Sequence, residues 1–163
     1  MGMKIGVISD THISSSHEGV PKALLNELRG VDLILHAGDL VVLQVLEALR
    51  EVAPVEAVAG NMDDPQVKET LPRKRILSVE NVRIGLTHGW GSPVGLPERV
   101  LGEFADDLSV VVFGHSHRSY QKRVGEILLF NPGSARRGFL SPVRSYGILT
   151  IQGDHVEGNI LRW

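Results

Sequence analysis

Seven residues of metal-ligating type stand where apolar runs end: Asp10, His12, Asp39, Asn61, His88, His115 and His117. They fall in five short segments: Ser9-Asp10-Thr11-His12, His36-Ala37-Gly38-Asp39, Gly60-Asn61-Met62-Asp63, Thr87-His88-Gly89 and Gly114-His115-Ser116-His117. Imidazole nitrogen and carboxylate oxygen suit Zn²⁺, Mn²⁺, Fe²⁺ and related ions, and the set is too large for one tetrahedral ion. Two ions ~3.5–4 Å apart, sharing a carboxylate and a hydroxide, would use every member. Two dications carry +4; Asp10, Asp39 and a hydroxide remove three, and the remaining +1 attracts a phosphate oxygen. Each segment alone has a plain structural reading: D-x-H as a capped turn, G-D and G-N as turn signals. G-H-x-H is stronger, because two His beside an apolar strand seldom serve packing alone. The specificity lies in the ordered set.

The elements that must position these residues follow from hydrophobic patterning. Residues 3–9 read as a buried first strand. Helical spacing over 21–28, with Gly30 as a stop, predicts a helix, followed by a strand over 31–35. An apolar helix is predicted over 40–52, ending before Pro54, and a strand over 55–59. Strands over 75–79 and 82–87 flank Glu80-Asn81 as a hairpin. Pro97 opens a predicted helix over 97–108. Strands are predicted over 109–113, 119–124, 126–130, 146–152 and 155–161, with turns at Gly125 and Gly153-Asp154. Strand–helix alternation in the first half implies parallel βαβ units, and hairpins dominate the last third. The sum is a mixed α/β sandwich, two packed sheets flanked by helices, read as one domain over 1–163. Open α/β sheets take ligands at the carboxyl ends of their strands, where all five segments lie.

The 163 residues are 42% hydrophobic and 22% charged, the composition of an ordinary folded chain. Zero Cys removes disulfides, thiolate zinc sites, iron–sulfur clusters and a Cys nucleophile. No apolar run reaches the length of a membrane span, and 5–8 is too short for a signal-peptide core. We therefore expect a cytoplasmic protein with no membrane partner. Seventeen basic against nineteen acidic residues give a net charge of -2, without the basic excess of a general nucleic-acid binder. A small substrate is expected, and the oligomeric state is not legible.

The series D-x-H, G-D, G-N-x-D, H-G, G-H-x-H, running from Lys4 to about Gly133, resembles the calcineurin-like metallophosphoesterase superfamily, and the compact size resembles its small bacterial and archaeal phosphodiesterase branch. The resemblance implies a four-layer αββα sandwich with a two-metal centre. By motif position Asp10, His12, Asp39 and His117 would hold the first ion; Asp39 would bridge; Asn61, His88 and His115 would complete the second. It implies two divalent ions, manganese first, with Zn²⁺, Fe²⁺, Ni²⁺ or Co²⁺ permitted. It also implies a metal-dependent phosphodiesterase in which a bridging hydroxide attacks a small phosphodiester in line, with Asp39, Asn61 and His88 catalytic. Alternatives are a scaffold that binds partner proteins, as in the phosphoesterase-like subunit of the retromer coat, and a nuclease or phosphomonoesterase.

One position departs from the pattern. Many superfamily members carry His in the middle of G-N-x-D, where it would protonate the leaving group; here it is Met62, which cannot carry a proton. Losing a general acid costs roughly 10²–10⁴-fold with a poor leaving group, so weak activity on alkyl esters and better activity on aryl esters are expected. Asp63 is expected to be left without its usual partner. Lesser candidates are Trp90 as a base-stacking or pocket-edge residue, Arg73–Arg75 and Arg136-Arg137 as phosphate clamps or solvated loops, and His36 as a residue orienting a ligand. Ser9 and Ser116 are candidate supporting hydroxyls, His17 lies in a loop over 14–19, and His155 sits in a distal turn.

Overall fold

β1 (Met3–Ile8) places Ile5 and Val7 on one face and Ile8 on the other, and this alternation recurs across the molecule. The computed structural model describes residues 2–15, 17–138 and 140–163; Met1, at the start of the domain expected over 1–163, Ser16, inside the expected 14–19 loop, and Phe139 lie outside the described residues. The elements that follow are α1 (Lys22–Glu27), β2 (Leu33–His36), α2 (Gln44–Arg50), β3 (Val55–Ala57), α3 (Pro65–Thr70), β4 (Lys74–Val79) and β5 (Val82–Thr87). Then come α4 (Leu96–Gly102), β6 (Val110–Val112), β7 (Ser119–Val124), β8 (Ile127–Pro132), β9 (Ser145–Gln152) and β10 (His155–Arg162).

The strands form two five-stranded mixed sheets, in the orders β10-β9-β1-β2-β3 and β4-β5-β6-β8-β7. In the first, β1, β2 and β3 run parallel, with Val7 opposite Leu35, while β9 and β10 are antiparallel additions. In the second, β5, β6 and β8 are parallel, with Val111 opposite Leu129, and β4 and β7 close the edges antiparallel. Ile5, Val7, Leu35, Ile84, Leu86, Val110, Val112, Phe130 and Leu149 pack between the sheets. Ile8 and Ile34 turn outward onto Leu24 and Leu28 near α1 and Val45, Leu46 and Leu49 on α2. Val111, Phe113 and Leu129 turn outward onto Leu96 and Val100 on α4. Three apolar layers between four layers of backbone are the αββα sandwich that the strand patterns imply.

Three expectations need correction. The helix over 40–52 begins only at Gln44, because Asp39 and Val41 sit at φ 57° and 78° and Val41 gives its N–H to Asp63 Oδ1. The helix over 97–108 is α4 alone, ending at Gly102. A helix that the sequence analysis leaves out, α3, starts at Pro65; its single buried residue, Val67, is too little apolar signal to show a period. Among the described residues no helix is long and apolar enough to cross a membrane.

Candidate metal centre

β1, β2, β3, β5 and β6 all stop at the same edge, and the residues after each stop turn inward. Loop 9–13 pairs with loop 37–41: the N–H groups of Asp10 and His12 donate to Gly38 O and Asp39 O, each at 3.0 Å. Gly114 N donates to His88 O at 3.1 Å, joining the β5 and β6 loops. Among the described residues seven non-glycine positions have positive φ, and five of them are Asp10, His12, Asp39, His115 and His117. Such backbone costs on the order of 1–3 kcal/mol each and persists only where surrounding structure imposes it. Here it aims ligand atoms at a common point.

Two glycines have a packing reason. A Cβ at Gly60 would collide with the Asp39 carboxylate, and one at Gly114 would collide with Ser9 Oγ and come within 2.8 Å of Asp10 Oδ2. The Gly of G-N and of G-H-x-H is therefore the space in which the carboxylates sit.

Asp10, His12, Asp39 and His117 each present one ligand atom, all within 4.8 Å of one another. Nε2 of His12 and Nε2 of His117 face each other at 3.2 Å, and lie 3.5 and 3.2 Å from Asp10 Oδ1. Asp10 Oδ1 is buried and makes no hydrogen bond of acceptable geometry, while Oδ2 takes Ser9 Oγ–H at 2.6 Å and His115 N–H at 3.1 Å. A buried carboxylate oxygen without a hydrogen bond, with imidazole nitrogens converging on it, fits a cation. Asp39 Oδ2 links outward, 3.6 Å from His12 Nε2 and 3.2 Å from His88 Nε2. Asn61 Oδ1 lies 3.1 Å from His88 Nε2 and 3.2 Å from His115 Nδ1. The structure thus brings all seven residues into two adjoining groups that meet at Asp39.

In His88 and His115 the other ring nitrogen is tethered. His88 Nδ1–H donates to Ala37 O at 2.7 Å and His115 Nε2–H to Gly91 O at 2.8 Å, which turns the opposite lone pairs inward. Burial pushes the Asp10 carboxyl up, but the His117, His12 and His88 imidazoles outweigh it and hold it well below the usual carboxylate range. Burial also raises Asp39, and His88 beside it brings it down overall. Burial lowers His88, yet Asp39 and Asp10 lift it to about 9; Asp10 likewise raises His117. The buried carboxylates thus favour the protonated forms of His88 and His117 when no cation is bound.

His36 is fully buried, and among the described residues its ring hydrogen-bonds to Thr11 and Gly38 and to none of the seven ligand side chains. Its Nδ1 accepts from Gly38 N–H at 3.1 Å and its Nε2–H donates to Thr11 Oγ1 at 3.0 Å, tying the two ligand loops together. Burial holds it neutral, with a pKa of about 4. With Met at position 62, Asp63 has no imidazole to orient and instead accepts N–H groups from Gly60 (2.6 Å), Val41 (2.6 Å) and Asp39 (3.2 Å). It is the carboxylate that fixes the Asp39 loop. The G-N-x-D spacing could have shown this only with the turn in hand. Sequence reasoning also misses Asn131, whose Nδ2–H donates to Gly114 O at 2.9 Å, and Ser134, whose Oγ–H donates to Asp10 O at 3.2 Å.

Met62 is 59% exposed at the rim, and its N–H donates to Asp39 Oδ1 at 2.8 Å. Arg75 pairs with Glu56 away from the centre, whereas Arg73 lines a cavity beside Asn61 and His88. Arg136 donates to His12 O and pairs with Glu18 at 3.2 Å; Arg137 donates to Pro142 O at 2.8 Å. Ser116 Oγ accepts from Asn131 Nδ2–H at 3.2 Å. His155 pairs with Glu157 on the exposed β10 edge.

Comparison with known proteins gives a consistent picture. The calcineurin-like phosphoesterase superfamily domain matches residues 3–154. A probable metallophosphoesterase of Methanothermobacter thermautotrophicus is 41% identical over 163 residues, covering 98% of this chain and 92% of that protein. A phosphodiesterase of Methanocaldococcus jannaschii is 28% identical, covering 90% of this chain and 92% of its own length. Among solved structures, Vps29 of Entamoeba histolytica, determined with zinc, matches at TM-score 0.75 and 26% identity over 98% of this chain and 99% of that one.

Proposed function

The chain belongs to the calcineurin-like phosphoesterase superfamily, and from that premise we propose that it is a dinuclear, metal-dependent phosphodiesterase acting on a small phosphodiester. The observation that carries the reading is the convergence of Asp10, His12, Asp39 and His117 on one point, with Asn61, His88 and His115 abutting it through Asp39. Asp10, His12, Asp39 and His117 would hold one divalent ion and Asn61, His88 and His115 a second, with Asp39 shared between them; Mn²⁺ is the first candidate, with Zn²⁺, Fe²⁺, Ni²⁺ or Co²⁺ able to use the same donors. When bound, such a pair supplies a hydroxide for in-line attack and Lewis acidity toward phosphoryl oxygens.

The chain's own part is positioning. Asp39 Oδ1 is held by the Met62 N–H, leaving Oδ2 toward His12 and His88. Asn61 contributes a neutral carbonyl oxygen, which keeps the centre less anionic than a third carboxylate would and so favours a phosphate. His88 is fixed through Ala37 O, with its Nε2 between Asp39 and Asn61. Asp39, Asn61 and His88 are the residues we assign to catalysis. No protonatable side chain stands at position 62, so the reading favours esters whose leaving oxygen needs no proton.

The test is hydrolysis of bis(p-nitrophenyl) phosphate by metal-stripped protein, with and without Mn²⁺, beside Asp39→Asn. Turnover that requires Mn²⁺ and falls at least roughly 10²-fold in Asp39→Asn is the expected result. No turnover with any divalent ion, despite retained metal, would favour a scaffold that binds partner proteins.

A further inference from the structure

A cavity of about 420 Å³ opens beside the second ligand group, lined by Asn61 and His88 on one side and by Lys68, Arg73, Trp90 and Glu103 on the other. Its size suits a small-molecule arm. None of the four outer residues belongs to a ligand motif, yet their chemistry is mixed in an informative way. Trp90 is 55% exposed and is braced from one side: Arg99 lies over its ring, 5.2 Å from the centroid, and donates to Trp90 O at 2.9 and 3.2 Å. An exposed indole held still is a stacking surface.

Lys68 donates to Asn61 O at 2.9 Å, so its ammonium stands next to the candidate ligand with further N–H groups to give. Arg73 makes no side-chain hydrogen bond or ion pair among the described residues. By contrast, the arginines of the cavity beyond His12 are engaged: Arg136 on Glu18 and His12 O, Arg137 on Pro142 O, Arg144 over Trp163. Glu103 accepts Thr87 Oγ1–H through Oε2 at 2.7 Å, while Oε1 lies buried with no partner. The wall therefore offers a ring surface and two cations, while the unpartnered Glu103 Oε1 is buried out of reach of the cavity.

Resting on the phosphodiesterase reading, we propose that this cavity takes one ester arm of the substrate and that the arm is a nucleotide. The ring stacks on Trp90, and a second phosphate lies against Lys68 and Arg73. A simple aryl or alkyl ester fills only part of these requirements: a nitrophenyl ester brings a ring but no second anion. Two cations against one carboxylate leave a net charge of +1 for that anion.

The test uses the full chain without metal, so that it reads the cavity and not the reaction. In Trp163→Phe, Trp90 is the only tryptophan, and its fluorescence is titrated with adenosine 5′-monophosphate, adenosine and inorganic phosphate. The monophosphate is expected to quench Trp90 with at least tenfold higher affinity than adenosine. The double variant Lys68→Ala/Arg73→Ala is expected to abolish that difference while adenosine still quenches. Isothermal titration of the unsubstituted chain reads the same contrast independently of Trp163. Equal affinities for the two, no quench by either, or a contrast unmoved in the double variant would overturn the proposal. The same preparation, assayed with Mn²⁺ on bis(p-nitrophenyl) phosphate, separates the two claims. Hydrolysis without nucleotide binding removes the cavity assignment alone; nucleotide binding without hydrolysis removes the phosphodiesterase reading and leaves a nucleotide-binding pocket.

Discussion

Met62 gives its backbone to the centre and its side chain to solvent: the N–H holds Asp39 Oδ1 at 2.8 Å while the thioether is 59% exposed. Replacing the side chain should leave the backbone contact in place, so Met62→His adds an acid without removing a support. Turnover of an alkyl phosphodiester is expected to rise by roughly 10²-fold, with a much smaller change on bis(p-nitrophenyl) phosphate. Equal changes on the two substrates would contradict the missing-acid account. Asp63 carries the opposite balance, a buried side chain with no place in the ligand set. Asp63→Ala leaves the N–H groups of Gly60, Val41 and Asp39 without their acceptor, each costing ~1–3 kcal/mol when buried. A loss of about 3 kcal/mol or more in denaturant unfolding is expected, together with weaker Mn²⁺ binding. Asp63→Asn, which keeps one oxygen, should recover part of both.

At the scale of elements, the sandwich is closed by residues that reach from one sheet to the other. Phe130 on β8 is fully buried and packs in the layer that contains Ile5, Val7 and Leu149 from the opposite sheet. Phe130→Ala is expected to lower stability by about 3–5 kcal/mol, read by urea unfolding, with the ligand loops unaffected in a folded sample at low temperature. The strands were legible because alternation is intrinsic to them: β1, β2, β6 and β8 each divide their apolar residues between two cores. The short helices were less legible. Leu40 to Leu43 form an apolar run that reads as the start of a helix, but the positive φ of Asp39 and Val41 and the Asp63 contact pull that segment into the site, and tertiary contacts override propensity. α3 carries one buried residue and so no period. The seven ligand-type residues stood out since motif loops put them at strand ends. The supporting roles of Asp63, Asn131 and Lys68 did not, because what they hold became visible only once the loops were folded against one another.

For the whole molecule, the centre couples protonation, metal and stability. His88, raised to about 9 from 6.5 by Asp39 and Asp10 against its burial, stabilises the metal-free fold below pH 6.5, and that contribution is lost as pH rises through about 9. A cation needs the neutral imidazole and so displaces the proton. The Mn²⁺-induced increase in Tm is therefore expected to grow from pH 6.5 toward pH 9, with proton release on binding near neutral pH visible by calorimetry in buffers of different ionisation enthalpy. A Tm increase that shrinks with pH would contradict this. In the proposed dinuclear centre one chain would hold two ions across a shared Asp39. Anomalous diffraction at the manganese edge from Mn²⁺-loaded crystals tests it most directly. Two peaks ~3.5–4 Å apart, one on each side of the Asp39 carboxylate, are predicted. A single peak among Asp10, His12, Asp39 and His117, with none beside Asn61, His88 and His115, would contradict it.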